Sequence, residues 1–124
     1  MRKVIVPLLA AAMLTACTTS FQTLPMDEFE AAIAQPNVTV VDVRTPQEYA
    51  EGHIGGAVNI DWKAGHFAEE AAEQLSKDYT IAVYCIHARR SKLAAEELVK
   101  MHYKVIELQD GLEAWINAGK PIEK

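Results

Sequence analysis

The chain predicts an α/β fold, a mostly parallel sheet with helices on both faces. Two observations carry the expectation. Short apolar runs rich in β-branched residues alternate with segments whose apolar residues recur at helical spacing. Strands separated by helices are joined by crossovers, and crossovers give a parallel sheet covered on both sides.

The elements follow in order. Pro25 to Ala34 places Met26, Phe29 and Ile33 on one helical face, with Asp27, Glu28 and Glu30 on the other and acids in the first turn. Pro36-Asn37 ends that helix, and Val38 to Val43 is an apolar run that predicts a buried strand. Pro46 to Glu51 predicts a helical turn. Gly52, Gly55 and Gly56 mark a loop before a brief strand at Ala57 to Ile60. A helix over Phe67 to Ser76 precedes a strand over Thr80 to Tyr84. The next helix, Ser91 to Met101, is expected to turn Leu93, Ala94, Leu98 and Met101 inwards. Lys104 to Leu108 is a further strand, and Leu112 to Ala118 is a last helix stopped by Gly119 and Pro121.

The start of the chain has a different character. Met1-Arg2-Lys3 is basic, Val4 to Leu14 is apolar, and Leu14-Thr15-Ala16-Cys17 closes the run. The apolar run falls short of the ~20 residues that span a bilayer, so it predicts a secretory leader rather than an anchor helix. Its last four residues resemble a bacterial lipobox. The resemblance implies cleavage before Cys17, lipid on its sulfur and new amino group, and stable anchoring by several acyl chains. Thr18, where aspartate is absent, implies sorting to the outer membrane with the domain facing the periplasm. The expected organisation is a leader over 1–16, lipidated Cys17 with a tether to residue 22, and one domain over 23–124. No second domain, repeat or low-complexity stretch is apparent.

Lipidation of Cys17 leaves Cys85 as the one free thiol and excludes a disulfide framework. The formal charge of −5 becomes two units more negative once Arg2 and Lys3 leave with the leader. An acidic domain with no basic stripe is not expected to bind nucleic acid. His53, His66, His87 and His102 lack paired ligand spacing, so no metal is predicted. No glycine-rich phosphate loop calls for a nucleotide cofactor, and none is expected.

Cys85 sits in Tyr84-Cys85-Ile86-His87-Ala88-Arg89-Arg90-Ser91, between a predicted strand and the helix after it. In parallel α/β sheets ligands collect beyond the carboxyl ends of strands. A thiol there faces a helix amino end and the cations Arg89, Arg90 and Lys92, which favours thiolate. Cations are themselves unfavourable at a helix amino terminus, so an anion, the thiolate or a bound substrate, is the expected compensation.

At this point the sequence resembles a single-domain rhodanese. Val41-Asp42-Val43-Arg44, Glu48-Tyr49, Gly52-His53-Ile54-Gly55-Gly56-Ala57-Val58-Asn59-Ile60, Cys85 to Ser91 and Gly111-Leu112-Glu113-Ala114-Trp115 carry the resemblance, in order, from about Phe21 to the end. It implies the rhodanese-like fold and a sulfurtransferase whose cysteine cycles between thiolate and persulfide. Sulfur would come from a small anionic donor, thiosulfate or a persulfide. It would pass to cyanide, a thiol or a redox protein.

By the same resemblance Cys85 is the nucleophile, and Ile86, His87, Ala88, Arg89, Arg90 and Ser91 form the substrate-binding loop with its converging amides. Asp42, Arg44 and His53 are expected to be structural neighbours, with Arg44 ion-paired to Glu48 and His53 a loop anchor. Trp115 is expected in the core, and Trp62 at the site mouth. Two positions depart from the family pattern. Ala88 stands where glycine is usual, which implies a strained left-handed residue, and Asp110-Gly111 stands where Gly-Gly is frequent. Two other readings stay open on the same scaffold: a phosphatase or arsenate reductase, whose relatives use a loop longer by one than the four residues between Cys85 and Arg90, and a non-catalytic binding or sensing module.

Overall fold

The computed structural model describes residues 20–124. The expected leader, Cys17 and the first two residues of the expected tether, 18 and 19, lie outside them. Among the described residues no helix is long and apolar enough to cross a membrane.

The elements are β1 (Gln22–Leu24), α1 (Met26–Ile33), β2 (Val38–Asp42), α2 (Pro46–Glu51), β3 (Val58–Asn59), a 3-10 turn (Trp62–Ala64), α3 (Phe67–Gln74), β4 (Thr80–Tyr84), α4 (Arg89–Lys100), β5 (Val105–Leu108) and α5 (Gly111–Asn117). The sheet order is β1-β5-β4-β2-β3, and every pairing is parallel. This is the expected α/β architecture. β1 had no counterpart in the predicted pattern: Gln22, at the end of the expected tether, already pairs with Ile106.

The two faces carry separate cores. Val41, Val43, Ile81, Val83, Cys85 and Val105 lie with Phe67 and Ala71 of α3 and with Ala94, Ala95 and Leu98 of α4. Val40, Ala82, Tyr84 and Leu108 lie on the other face with Phe29 of α1 and with Leu112 and Trp115 of α5. The alternation along β4 is the period of two that sends successive side chains to opposite faces. Phe29 and Trp115 meet edge to face, with centroids 6.3 Å apart. Each such fully buried side chain contributes about 1.5–3 kcal/mol.

One inward residue is corrected. Leu93 is 48% exposed, whereas Ser91, Ala94, Ala95 and Leu98 form the buried stripe of α4. At 3.6 residues per turn Ser91, Ala94, Ala95 and Leu98 share one face of the helix, and Leu93 falls on nearly the opposite one.

The register sets the site. Asp42 at the end of β2 stands beside Tyr84 at the end of β4, and Val83 stands beside Glu107 on β5. The residues that follow β2 and β4 therefore leave the sheet at the same carboxyl edge.

Candidate active site

Cys85 follows the last residue of β4 and is wholly buried, on the α3/α4 face of the sheet. It is the free cysteine among the described residues. Three contacts fix its surroundings.

The first is α5. The Leu112 amide donates to the Cys85 carbonyl at 2.8 Å, and the Glu113 amide donates to the Ile86 carbonyl at 3.2 Å. These first-turn amides have no partner within their own helix, and the loop's carbonyls satisfy them. The approach is close: a Cβ at Gly111 would lie 2.2 Å from the Ile86 oxygen, and Gly111 has φ 84°. Asp110 has φ −105°, an ordinary conformation for any residue. Of the family's two glycines, the position that needs one has it.

The second is the turn into α4. Ala88 has φ 68° and ψ 15° and precedes Arg89 with no side-chain cap. The left-handed conformation expected there is present, and for alanine it costs about 1 kcal/mol.

The third is Ser91. Its amide donates to Cys85 Sγ at 3.3 Å, and its Oγ accepts from the thiol at 3.5 Å. The same hydroxyl donates to Glu107 Oε2 at 2.6 Å. Glu107 is fully buried, and Thr23 Oγ1 and Lys92 Nζ each donate to its Oε1 at 3.0 Å. Of the loop's amides, which were expected to converge on the sulfur, it is that of Ser91 that lies within hydrogen-bonding distance.

The cations of the loop divide. Arg90 forms a bidentate pair with Glu48, Nη1 to Oε1 at 2.8 Å and Nη2 to Oε2 at 3.0 Å. The Arg90 hydrogen bonds, against the opposing effect of burial, hold the Glu48 carboxyl down at about 2, and Glu48 in turn raises Arg90. Glu48 also accepts from the Thr45 amide and closes the capping box of α2. His87 pairs with Glu113 at the surface. Arg89 is exposed, with no ion pair among the described residues. Ile86 is half-buried against the α1/α5 core, and Ala88 is buried.

Beneath the loop lies a second buried pair. Arg44 Nε and Nη2 donate to Asp42 at 2.7–3.1 Å, and Nη2 also donates to the Gly52 carbonyl at 2.6 Å. The Tyr84 hydroxyl donates to Asp42 Oδ2 at 2.6 Å and accepts from the Ile54 amide at 3.0 Å. Burial, then the Asp42 charge, pushes the Tyr84 phenol up, so it remains a donor. Burial opposes the charge on Arg44, but hydrogen bonds and charge from Asp42 outweigh it and raise Arg44. The expected Arg44–Glu48 pair is thus corrected: Arg44 serves Asp42, and Glu48 serves Arg90. A guanidinium two residues from an aspartate that ends a strand folds back on it, while Glu48 on α2 faces the loop.

His53 anchors its loop, as expected. Its Nδ1 lies 2.9 Å from the Tyr49 carbonyl, its ring stacks on Tyr49 at 3.8 Å, and its backbone pairs with Glu123. Trp115 is core, its Nε1 donating to the Pro121 carbonyl. Trp62 packs on Phe67 against the core that contains Cys85, and borders a depression lined with Gly65, Phe67, Glu69 and Glu97. Among the described residues no cluster of His, Cys, Asp or Glu has the arrangement of a metal site.

Glu107 is the site residue the sequence reading missed. Its signal was present: an acid inside the apolar run Val105 to Leu108, in a strand covered on both faces, is a buried carboxylate that needs partners.

Fold and site together define a class, small parallel α/β domains that hold a cysteine on the loop between a central strand and the following helix. Within that class the chain belongs to the rhodanese-like family, whose domain model matches residues 25–118. A sulfurtransferase of Allochromatium vinosum is 33% identical over 87 residues, 69% of this chain and 78% of the relative. The thiosulfate sulfurtransferase GlpE of Pseudomonas fluorescens is 31% identical over 96 residues, 77% of this chain and 84% of the relative. Among solved structures, a rhodanese-related protein from Thermoplasma volcanium superposes with a TM-score of 0.73 at 28% identity, covering 83% of this chain and 98% of that one.

Proposed function

We propose that this chain is a sulfurtransferase that carries sulfane sulfur from thiosulfate or a persulfide to a nucleophilic acceptor through a persulfide on Cys85. The observation that carries the reading is the placement of Cys85, beyond the end of β4 with the Ser91 amide on its sulfur. The amide stabilises an anion on that atom, the thiolate that attacks the donor and that leaves when the acceptor takes the outer sulfur.

The reaction divides into two displacements. The Cys85 thiolate attacks the outer sulfur of thiosulfate; a new S–S bond forms, the old one breaks, and sulfite leaves with its electron pair. Cyanide or a thiolate then attacks the outer sulfur of the persulfide and regenerates the thiolate. Exposed Arg89 is the cation free to meet donor oxygens, whereas Arg90, bound to Glu48, orients the end of the loop. Full burial of Cys85 favours small donors over bulky ones. The commitment of Arg90 to Glu48 also weighs against a phosphatase, which needs that guanidinium on an oxyanion.

The leader and lipobox support a further part of the proposal: lipid on Cys17 holds the domain at the outer membrane, facing the periplasm. Mass analysis of the amino-terminal peptide from membranes checks it, and a Cys17→Ser protein is expected in the soluble fraction.

The central test is direct. After incubation of the full chain with thiosulfate, the Cys85 peptide is expected to gain the mass of one sulfur, and added cyanide is expected to yield thiocyanate. Cys85→Ser is expected to do neither. Turnover by that variant equal to wild type, or phosphate release from an aryl phosphate without persulfide, overturns the proposal.

A further inference from the structure

Glu107 has no part in the scheme above, yet it is bound into the site. It is the buried carboxylate on the Cys85 face of the sheet, one residue before the end of β5, and nothing about sheet packing calls for an acid there. A carboxylate removed from water is retained only where hydrogen bonds compensate it. Here the compensation is directional. Thr23 and Lys92 both occupy Oε1, which leaves Oε2 to the Ser91 hydroxyl alone. The hydroxyl faces Cys85 Sγ on its other side.

From this geometry we infer that Glu107 and Ser91 form a proton relay for Cys85, with Glu107 holding the thiol proton while the sulfur is anionic. The inference rests on Cys85 being the nucleophile of the proposed reaction. The step balances without a further reactant. The thiol proton passes to Ser91 Oγ as the Ser91 proton passes to Glu107 Oε2, leaving a thiolate, a neutral hydroxyl and a neutral carboxylic acid. Ser91 then donates to the thiolate and accepts from Glu107. One negative charge has moved from carboxylate to sulfur, so the site never holds two adjacent anions. The proton returns to the sulfur when Glu107 is again ionised.

Of the charged groups around the pair, Lys92 on α4 opposes protonation of Glu107, since its ammonium favours the carboxylate; it is half-exposed, so water screens it. Arg90 on α4 is paired with Glu48 of α2, and His87 in the loop is paired with Glu113 of α5. β1 contributes uncharged Thr23. Asp42 is engaged by Arg44 and Tyr84. Ser91 therefore provides the contact through which Glu107 reaches the sulfur, and Glu107 is a positioning residue that acts through it.

The test reads the thiolate without requiring sulfur transfer. Iodoacetamide is reacted with the full chain and with its Glu107→Gln and Ser91→Ala variants from about pH 5 to about pH 9, and second-order rate constants are taken from the Cys85 peptide by mass spectrometry. A proton shared within the site makes thiolate independent of bulk pH over part of that range, so the wild type is expected to keep a reactive plateau on the acid side of neutrality. Both variants are expected to lose the plateau, reacting about tenfold more slowly near pH 6 and rising about tenfold per pH unit. Glutamine keeps an oxygen for Thr23 and Lys92, and Ser91→Ala keeps the Glu107 carboxylate with those two donors but removes the one on Oε2, so the two variants disturb the fold differently but break the same chain. A Glu107→Gln rate that is unchanged or faster, as a merely repelling carboxylate would give, overturns the relay. A wild type that shows the plateau but forms no persulfide would instead overturn the sulfurtransferase reading and leave the relay standing.

Discussion

Residue 88 lies within the Cys85 loop and residue 111 packs against it, and both have left-handed backbone. The first is alanine at φ 68°, the second glycine at φ 84°. The difference between them is room. Ala88 is accommodated, buried, with its Cβ in a left-handed conformation, whereas a Cβ at Gly111 would meet the Ile86 carbonyl at 2.2 Å. Torsional strain is a fixed, small quantity of about 1 kcal/mol; an overlap with backbone that is itself pinned by two hydrogen bonds has no cheap relief. At these two positions the cost of a side chain therefore depends more on what lies in front of it than on φ.

The largest test of that contrast is Gly111→Ala. It is expected to cost about 3 kcal/mol or more, lowering the melting temperature by at least ~10 °C and dislodging the Cys85 loop. Thermal unfolding measures it, and a loss no greater than the torsional ~1 kcal/mol would erase the distinction.

Next comes the clamp at the far end of the loop. Glu48→Gln exchanges the bidentate ion pair with Arg90 for weaker bonds and is expected to cost about 1–2 kcal/mol at neutral pH. The pH dependence has a defined sign. Glu48 is held at about 2 against an ordinary 4.5, so its contribution is complete above about pH 4.5 and is lost as pH falls towards 2. Acid titration of stability is expected to show less loss in that window for the variant than for the wild type.

Ala88→Gly is expected to change stability by less and in the other direction. Relief of the left-handed strain, offset by glycine's greater unfolded freedom, leaves a gain of about 0.5 kcal/mol or less, with a faster sulfur-transfer rate if the strain displaces the loop. Denaturant titration and thiocyanate assay measure both. Asp110→Gly restores the remaining family glycine where φ is ordinary, and a loss of about 0.5 kcal/mol is expected from backbone entropy alone. A gain there would show that residue 110 belongs with 88 rather than apart from it.

Most of the fold was legible because its strands are continuous apolar runs between amphipathic helices. β2 and β4 fall within a residue of expectation. β1 was not legible: Gln22-Thr23-Leu24 is short and half polar, and it is a strand only because β5 offers it a parallel edge. In the site, the identities and order of Cys85, Arg90 and Ser91 were visible through the family motif, as was the demand for unusual torsion at Ala88. The ion pairs were not. Glu48 and Asp42 are both within reach of a cation in sequence, and only the placement of α2 against the loop assigns Glu48 to Arg90 and leaves Asp42 to Arg44.

By itself the sequence determined the architecture, the family and the position of the thiol, since period, element order and motif are local properties of the chain. Tertiary structure alone decided which loop cation is left without an ion pair among the described residues, which glycine has no room for a side chain and that an acid from β5 reaches the Cys85 thiol through Ser91. Those depend on distances between segments far apart in the chain, set by strand register and by how closely α5 and α4 approach the same loop.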